Sequence, residues 1–176
     1  METSQPFQGE VLGVRVDQVR MPGGNVAVRE VVEHPDSVVV VALDAENNVL
    51  LVRQYRHPAE AVLLEAPAGK VSLGEAPEET AQRELREEVG YRAGWMRSLG
   101  SFWVSPGFCT ERMHAFLAGD LAEDRLDPDG DEDIVVERFP LAQVEQMLRE
   151  GTIEDGKTIA ALLLALHVHG VERGGG

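Results

Sequence analysis

The chain has 176 residues, with 31 acidic against 16 basic side chains and a formal charge of −15. Apolar residues make up 43% and charged residues 27%, the profile of one globular domain that buries its own core and not of a disordered segment. The acidic excess argues against a nucleic acid partner, and an apolar run of only eight residues, 159–166, argues against a membrane span.

The first residues, METSQPFQGE, have neither the basic start nor the apolar stretch of a secretory signal. Valines at 11, 14, 16 and 19, the turn sequence MPGGN, then valines at 26, 28 and 31 predict two strands around a tight turn. Residues 37–43, with four successive valines, read as a buried strand. The polar residues 44–48 and the run 49–52 complete a hairpin. A short strand is expected at 61–65.

A helix is expected over 77–89, opened by Pro77 and stopped by Gly90. Strands are expected at 97–104, 113–118 and 134–139, separated by an acidic loop at 120–133. Helices are expected at 141–150 and 158–168. This order predicts an α/β (α+β) fold, too irregular for a doubly wound parallel sheet. It divides as a β-rich arm, 1–33, a main domain, 34–170, and a flexible tail, 171–176. The single cysteine, Cys109, cannot form an internal disulfide and fits a cytoplasmic protein.

The helix at 77–89 carries the chemistry. At about 100° per residue, Glu88 lies roughly 40° from Glu84 and Glu87 roughly 60° to the other side. Ala81, Leu85 and Val89 form the adjoining apolar stripe. The helix can therefore pack into a core and hold three carboxylates at its edge. Acids at i and i+4 repel, and a divalent cation would relieve them. Clustered oxygens suit Mg²⁺, Mn²⁺ or Ca²⁺ and not zinc. A glutamate-rich helix is also the ordinary pattern of a solvated face.

The surrounding residues favour the metal. Gly69, Glu75, Arg83, Glu84, Leu85, Glu87, Glu88 and Gly90 fall in the register of the Nudix hydrolase signature, with Tyr91 where an aliphatic residue is usual. The chain thus resembles the Nudix superfamily over about residues 30–170. The resemblance implies a mixed β-sheet sandwiched between α-helices, and cleavage of a nucleoside diphosphate linked to another moiety. It implies Glu84, Glu87, Glu88 and the Ala68 carbonyl as metal ligands for Mg²⁺ or Mn²⁺. Arg83 would orient the carboxylates, and Glu75 would have a supporting part.

Residues outside the signature resemble the ADP-ribose pyrophosphatase branch: Val52-Arg-Gln-Tyr-Arg56, Leu64-Glu-Ala-Pro-Ala-Gly69, and Ser105-Pro106-Gly107 sixteen residues beyond Gly90. By this resemblance, Arg56 grips the diphosphate, and Ser105, Pro106 and Glu111 contact substrate. Each has a plainer reading: a surface arginine, a simple turn, an exposed loop acid. The resemblance also implies a general base or additional metal ligand in the acidic loop, best matched by Glu132, with Asp131 and Asp133 as rivals. Glu132, Arg83 and Glu87 form the expected catalytic group.

The expected reaction is Mg²⁺-dependent hydrolysis of ADP-ribose to AMP and ribose 5-phosphate. Alternatives are another nucleotide sugar such as GDP-mannose, or a module that senses ADP-ribose without cutting it. By the resemblance to the ADP-ribose branch, the arm implies a homodimer whose sites contain residues from both chains. Trp95 and Trp103 are expected in the core or an interface.

Overall fold

A computed structural model describes residues 2–127 and 134–174. Strands β1 (Thr3–Gln8), β2 (Gly13–Arg20) and β3 (Val26–Glu33) form a separate antiparallel sheet. The β2–β3 hairpin turns at Met21–Asn25, where Gly24 takes a φ of +86° and Met21 N–H donates to the Asn25 carbonyl at 2.8 Å. Strand β1 was not expected, because TSQPFQ shows no alternation. It forms at the free edge of β2, where Pro6 is tolerated, and its pairing slips between Ser4 and Phe7.

The main sheet contains β4 (Ser37–Leu43), β5 (Asn48–Arg56), β6 (Ala61–Glu65), β7 (Ala68–Lys70), β8 (Tyr91–Trp103), β9 (Arg112–Glu123) and β10 (Ile134–Pro140). Its order is β10-β5-β4-β9-β8, with β6 paired to β5 and β7 to β4. Among the described strands only β4 and β9 run parallel. The helices are α1 (Pro77–Glu84), α2 (Leu141–Glu150) and α3 (Gly156–Gly174). Helix α3 continues past Val168, where the sequence pattern ended it, through the first four residues of the stretch read as a tail.

The four-valine run explains the layers. Val39, Val41 and Leu43 pack toward Val144, Met147, Ala161 and Leu162 of α2 and α3. Val38, Val40 and Ala42 face the opposite way, toward Ala81 and Leu85. A strand covered on both sides needs apolar residues at every position, not at alternate ones. Each such side chain contributes about 1.5–3 kcal/mol by leaving water. The result is the expected mixed sheet between helices. Its center, β4, also holds β7 through the Val38–Gly69 and Val39–Ala68 pairs, which sets Ala68 and Gly69 beneath α1.

Candidate active site

Helix α1 begins as its sequence suggests. Pro77 takes the first position, and Ala76 N–H donates to Glu79 Oε2 at 2.9 Å. The helix does not continue to Val89 as a uniform α-helix. Residues Leu85–Val89 form a π-helical turn, closed by Gly90 N–H donating to the Leu85 carbonyl, five residues back. Gly90 adopts a φ of +80°, which favors glycine. The wider turn changes the angles derived for a regular helix beyond Glu84. Glu84 and Glu88 end up buried at 9% and 4% exposure. Such π turns are often found at functional sites.

Arg83 gathers the carboxylates. Its Nη1 lies 2.8 Å from Glu84 Oε1 and 2.7 Å from Glu87 Oε2. Its Nε and Nη2 each donate to Glu75 at 3.3 Å. Burial works against the Arg83 charge, but Glu75, Glu84 and Glu87 outweigh it and raise its pKa further. Glu75 also accepts from the buried Thr80 hydroxyl at 2.8 Å, and Arg83 with Thr80 holds its pKa below the usual carboxylate value.

Gly69 has a steric reason to be glycine: a Cβ there would stand 2.0 Å from Glu84 Oε1. The neighboring Ala68 N–H donates to Glu88 Oε2 at 3.2 Å. The Ala68-Gly69 segment thus touches both buried carboxylates. Three carboxylates beside the half-buried Ala68-Gly69 backbone are hard oxygen donors, and in chemistry they fit a divalent cation. Among the described residues, no three acidic, histidine or cysteine side chains converge tightly enough to hold one as they stand. Instead Glu84 and Glu87 lean on Arg83.

A second cluster lies at the ends of β5 and β6. Glu65 is 1% exposed. Its Oε1 accepts from Arg56 Nε at 2.8 Å, and its Oε2 accepts from Arg56 Nη2 at 2.7 Å and Lys157 Nζ at 2.5 Å. Burial opposes ionization of Glu65, but these two cations hold its pKa below the ordinary value. Its hydrogen bonds in turn raise that of Arg56.

Asp155 caps α3. Its Oδ2 accepts from the Thr158 N–H at 2.9 Å and hydroxyl at 2.5 Å, and its Oδ1 from Lys157 at 2.9 Å. The buried Thr158 oxygen also accepts from Ala66 N–H at 2.8 Å. This bond ties the start of α3 to the chain entering Ala68-Gly69.

Between the clusters lies a cavity of about 700 Å³. Ala68 and Gly69 line one part, and Arg56, Asp155, Gly156 and Lys157 another. Lys70, Ser37, His34, Glu111, Phe102 and Trp103 complete much of the wall. Of the residues singled out in the sequence, Arg56, Ala68 and Glu111 therefore meet here. Glu111 is positioned by the Ser37 hydroxyl, which donates to its Oε1 at 2.8 Å. Glu84 and Glu88 sit behind Ala68-Gly69.

Ser105 and Pro106 do not line this cavity. Ser105 closes a turn, its carbonyl accepting from Phe108 and Cys109 N–H at 3.1 and 2.9 Å. Pro106 faces a separate depression shared with β2 and β3. The turn is tied to the arm, since Val32 N–H donates to the Phe108 carbonyl at 2.7 Å. Glu132 and its rivals Asp131 and Asp133 lie outside the described residues. Neither tryptophan is buried: Trp95 is 45% and Trp103 54% exposed.

The sequence reading missed Glu65, Lys157 and Asp155. Asp155-Gly-Lys-Thr158 before an apolar run is a helix-start signal, which would have placed Lys157 in a first turn. Nothing local connects Lys157 to Arg56, because their meeting spans about a hundred residues of chain.

Comparison with known proteins agrees with this geometry. A family model described as NUDIX domain matches residues 33–162. A methanol dehydrogenase activator of Bacillus methanolicus is 41% identical, over 92% of this chain and 89% of its own. An ADP-ribose pyrophosphatase of Bacillus subtilis (strain 168) is 39% identical, over 90% of this chain and 86% of its own. A crystal structure of an ADP compounds hydrolase superposes with a TM-score of 0.88 at 25% identity. It covers 100% of this chain and 94% of its own.

Proposed function

The chain belongs to the Nudix family, and on that footing we propose that it hydrolyzes the diphosphate linkage of ADP-ribose, or of a related nucleoside diphosphate sugar, using Mg²⁺ or alternatively Mn²⁺. The observation that carries this reading is the cavity wall, where Ala68-Gly69, backed by Glu84 and Glu88, meets the guanidinium of Arg56. An anionic substrate needs both a cation-binding acid cluster and a basic grip.

Nudix hydrolases generally use divalent metal ions. Glu84, Glu87, Glu88 and the Ala68 carbonyl would hold the metal, which when bound neutralizes phosphate charge and acidifies a water. Arg83 keeps the acids aligned. Arg56 offers N–H donors in a fixed fork that suits phosphate oxygens. Glu111 stands where it can accept from a sugar hydroxyl. Water adds to one phosphorus, the bridging P–O bond breaks, and the water proton passes to a base.

Glu132 is proposed as that base. Glu132→Gln should lower kcat far more than it raises KM, and near-normal turnover would remove it from the reaction. Ser105 and Pro106 are proposed to act with the arm across a homodimer. The arm exposes Phe7, Val26 and Val28 at 54–58%, which a second copy would cover. Sizing that shows a monomer at micromolar concentration would contradict this. No described helix is long and apolar enough to cross a membrane. A cytoplasmic setting is proposed from the single cysteine.

The test is a product assay with ADP-ribose, GDP-mannose and ADP-glucose, with and without Mg²⁺. Metal-dependent release of AMP and ribose 5-phosphate, fastest from ADP-ribose, is expected. A preference for another nucleotide sugar would keep the chemistry and change the substrate. Tight binding of ADP-ribose without product would make the protein a sensor.

A further inference from the structure

A second cavity, of about 560 Å³, opens where the π turn meets the ends of the main sheet. It shares no lining residue with the first. Val89 and Gly90 form one wall, the stretch leaving β9 another, and Val136 and Arg138 of β10 a third. Four of the 16 basic residues of this acidic chain gather here. Arg125 and Arg138 line the cavity, and Arg86 and Arg92 hold Asp124 on its wall.

Their donors outnumber the acceptors offered to them. Asp124 is shared, with Oδ1 3.2 Å from Arg86 Nη2 and Oδ2 3.7 Å from Arg92 Nε. Arg86 Nε is buried with no acceptor among the described residues. Arg138 donates to the Tyr91 hydroxyl at 2.7 Å and rests over that ring, but stands 3.8 Å from Asp44, beyond hydrogen-bond range. Arg125 lies across Gly90, where an added Cβ would meet its Nε at 2.9 Å. Among the described residues it has no ion-pair or hydrogen-bond partner. Glu123, the other acid on the wall, is exposed and pairs with none of the four among the described residues. Helix ends attract cations because their last carbonyls lack partners. Here Leu126 N–H already donates to the Arg86 carbonyl at 3.2 Å, and Asp124 N–H to that of Gly90 at 3.0 Å. Capping therefore does not account for four guanidinium groups.

The geometry points to a phosphate-binding site in this second cavity, with Arg125 and Arg138 as its direct contacts and Arg86 and Arg92 behind them through Asp124. A phosphate group brings several acceptor oxygens to a cluster that is short of them, and guanidinium forks match its edges. Val89 and Val136 offer an apolar side to whatever carries the phosphate. Inorganic phosphate and a phosphomonoester share the chemistry that is recognized. The site supplies its own cations, so it needs no divalent metal. It goes beyond the proposed reaction and does not rest on it.

The experiment titrates the full chain, stripped of divalent cations, with inorganic phosphate, AMP and ribose 5-phosphate at matched ionic strength, and follows the backbone amides by NMR. Saturable changes are expected at the amides of residues 89–91 and 123–125. Arg125→Met should weaken binding about tenfold, the size of one charge-assisted hydrogen bond. Arg125→Lys, which keeps the charge without the fork, should recover part of the loss. Arg125 is exposed and unpaired among the described residues, so both variants should fold, and thermal melting checks this. Arg56→Met, in the other cavity, should change the affinity less than about twofold.

Tighter binding of AMP or ribose 5-phosphate than of inorganic phosphate would support the site and assign it to a phosphomonoester. Equal affinities would support it and assign it to the free ion. No saturable change at these amides, the same changes with sodium chloride, or a larger loss in Arg56→Met than in Arg125→Met would each overturn it. A wild type that binds phosphate here yet hydrolyzes no nucleotide sugar would overturn the proposed reaction and leave this site standing.

Discussion

Two charged clusters next to the cavity are built on opposite plans. In the acid-rich one, behind the Ala68-Gly69 wall, Glu75, Glu84 and Glu87 all pair with Arg83. At the basic end, Arg56 and Lys157 are matched by Glu65 and Asp155. In the first, three carboxylates crowd around one guanidinium in a partly buried place, and their oxygens would suit a divalent cation. In the second, each cation faces a carboxylate and is fixed in position. The contrast suits the proposed reaction: a chain with a charge of −15 would recruit positive charge at one place and orient its own at another.

The largest effect should come from the acid-rich end. Glu84→Gln and Glu88→Gln should each reduce kcat by more than the roughly 100-fold that loss of a supporting partner brings. Glutamine keeps the size of the side chain and an oxygen acceptor, so both variants should still fold cooperatively. Steady-state kinetics across a Mg²⁺ titration, with melting curves, checks this. A wild-type rate in either variant would end the comparison.

Gly69→Ala sharpens it. The new Cβ would displace the Glu84 carboxylate. The expected loss is about 10–100-fold in activity, with an increased Mg²⁺ requirement. If activity falls without a change in Mg²⁺ dependence, Gly69 matters for folding of the loop and not for the carboxylate.

The basic end should respond in stability first. Thr158→Val removes the buried oxygen that accepts from Ala66 N–H and donates to Asp155. Leaving those groups unpaired should cost about 1–3 kcal/mol, measured by denaturant unfolding. A loss below about 0.5 kcal/mol would mean that α3 is not anchored to the loop in this way.

The smallest effect is in pH. Glu65 and Glu75 both have pKa values below their ordinary 4.5 in the folded protein. Their stabilization is fully present above 4.5 and is lost as pH falls through the lowered folded values. Unfolding measured from pH 7 downward should therefore be level to about 5 and then decline. The decline should be shallower in Glu75→Gln. An equal decline in that variant would assign the acid sensitivity to other carboxylates.

The sequence alone determined much of this protein. The four-valine run announced a strand covered on both faces, and the turn residues set the hairpins, because hydrophobic periodicity and glycine or proline geometry act locally. The spacing from Gly69 to Gly90 likewise identified the acid-rich helix and its family. The tertiary structure decided the rest. The helix turns π at Leu85–Val89 before Gly90 closes it, and packing leaves Glu84 and Glu88 buried, neither of which the spacing of residues expressed. The third arm strand exists only because β2 offers an edge. The meeting of Arg56, Glu65 and Lys157 depends on the first turn of α3 reaching the end of β6, a contact between distant segments that no local pattern encodes.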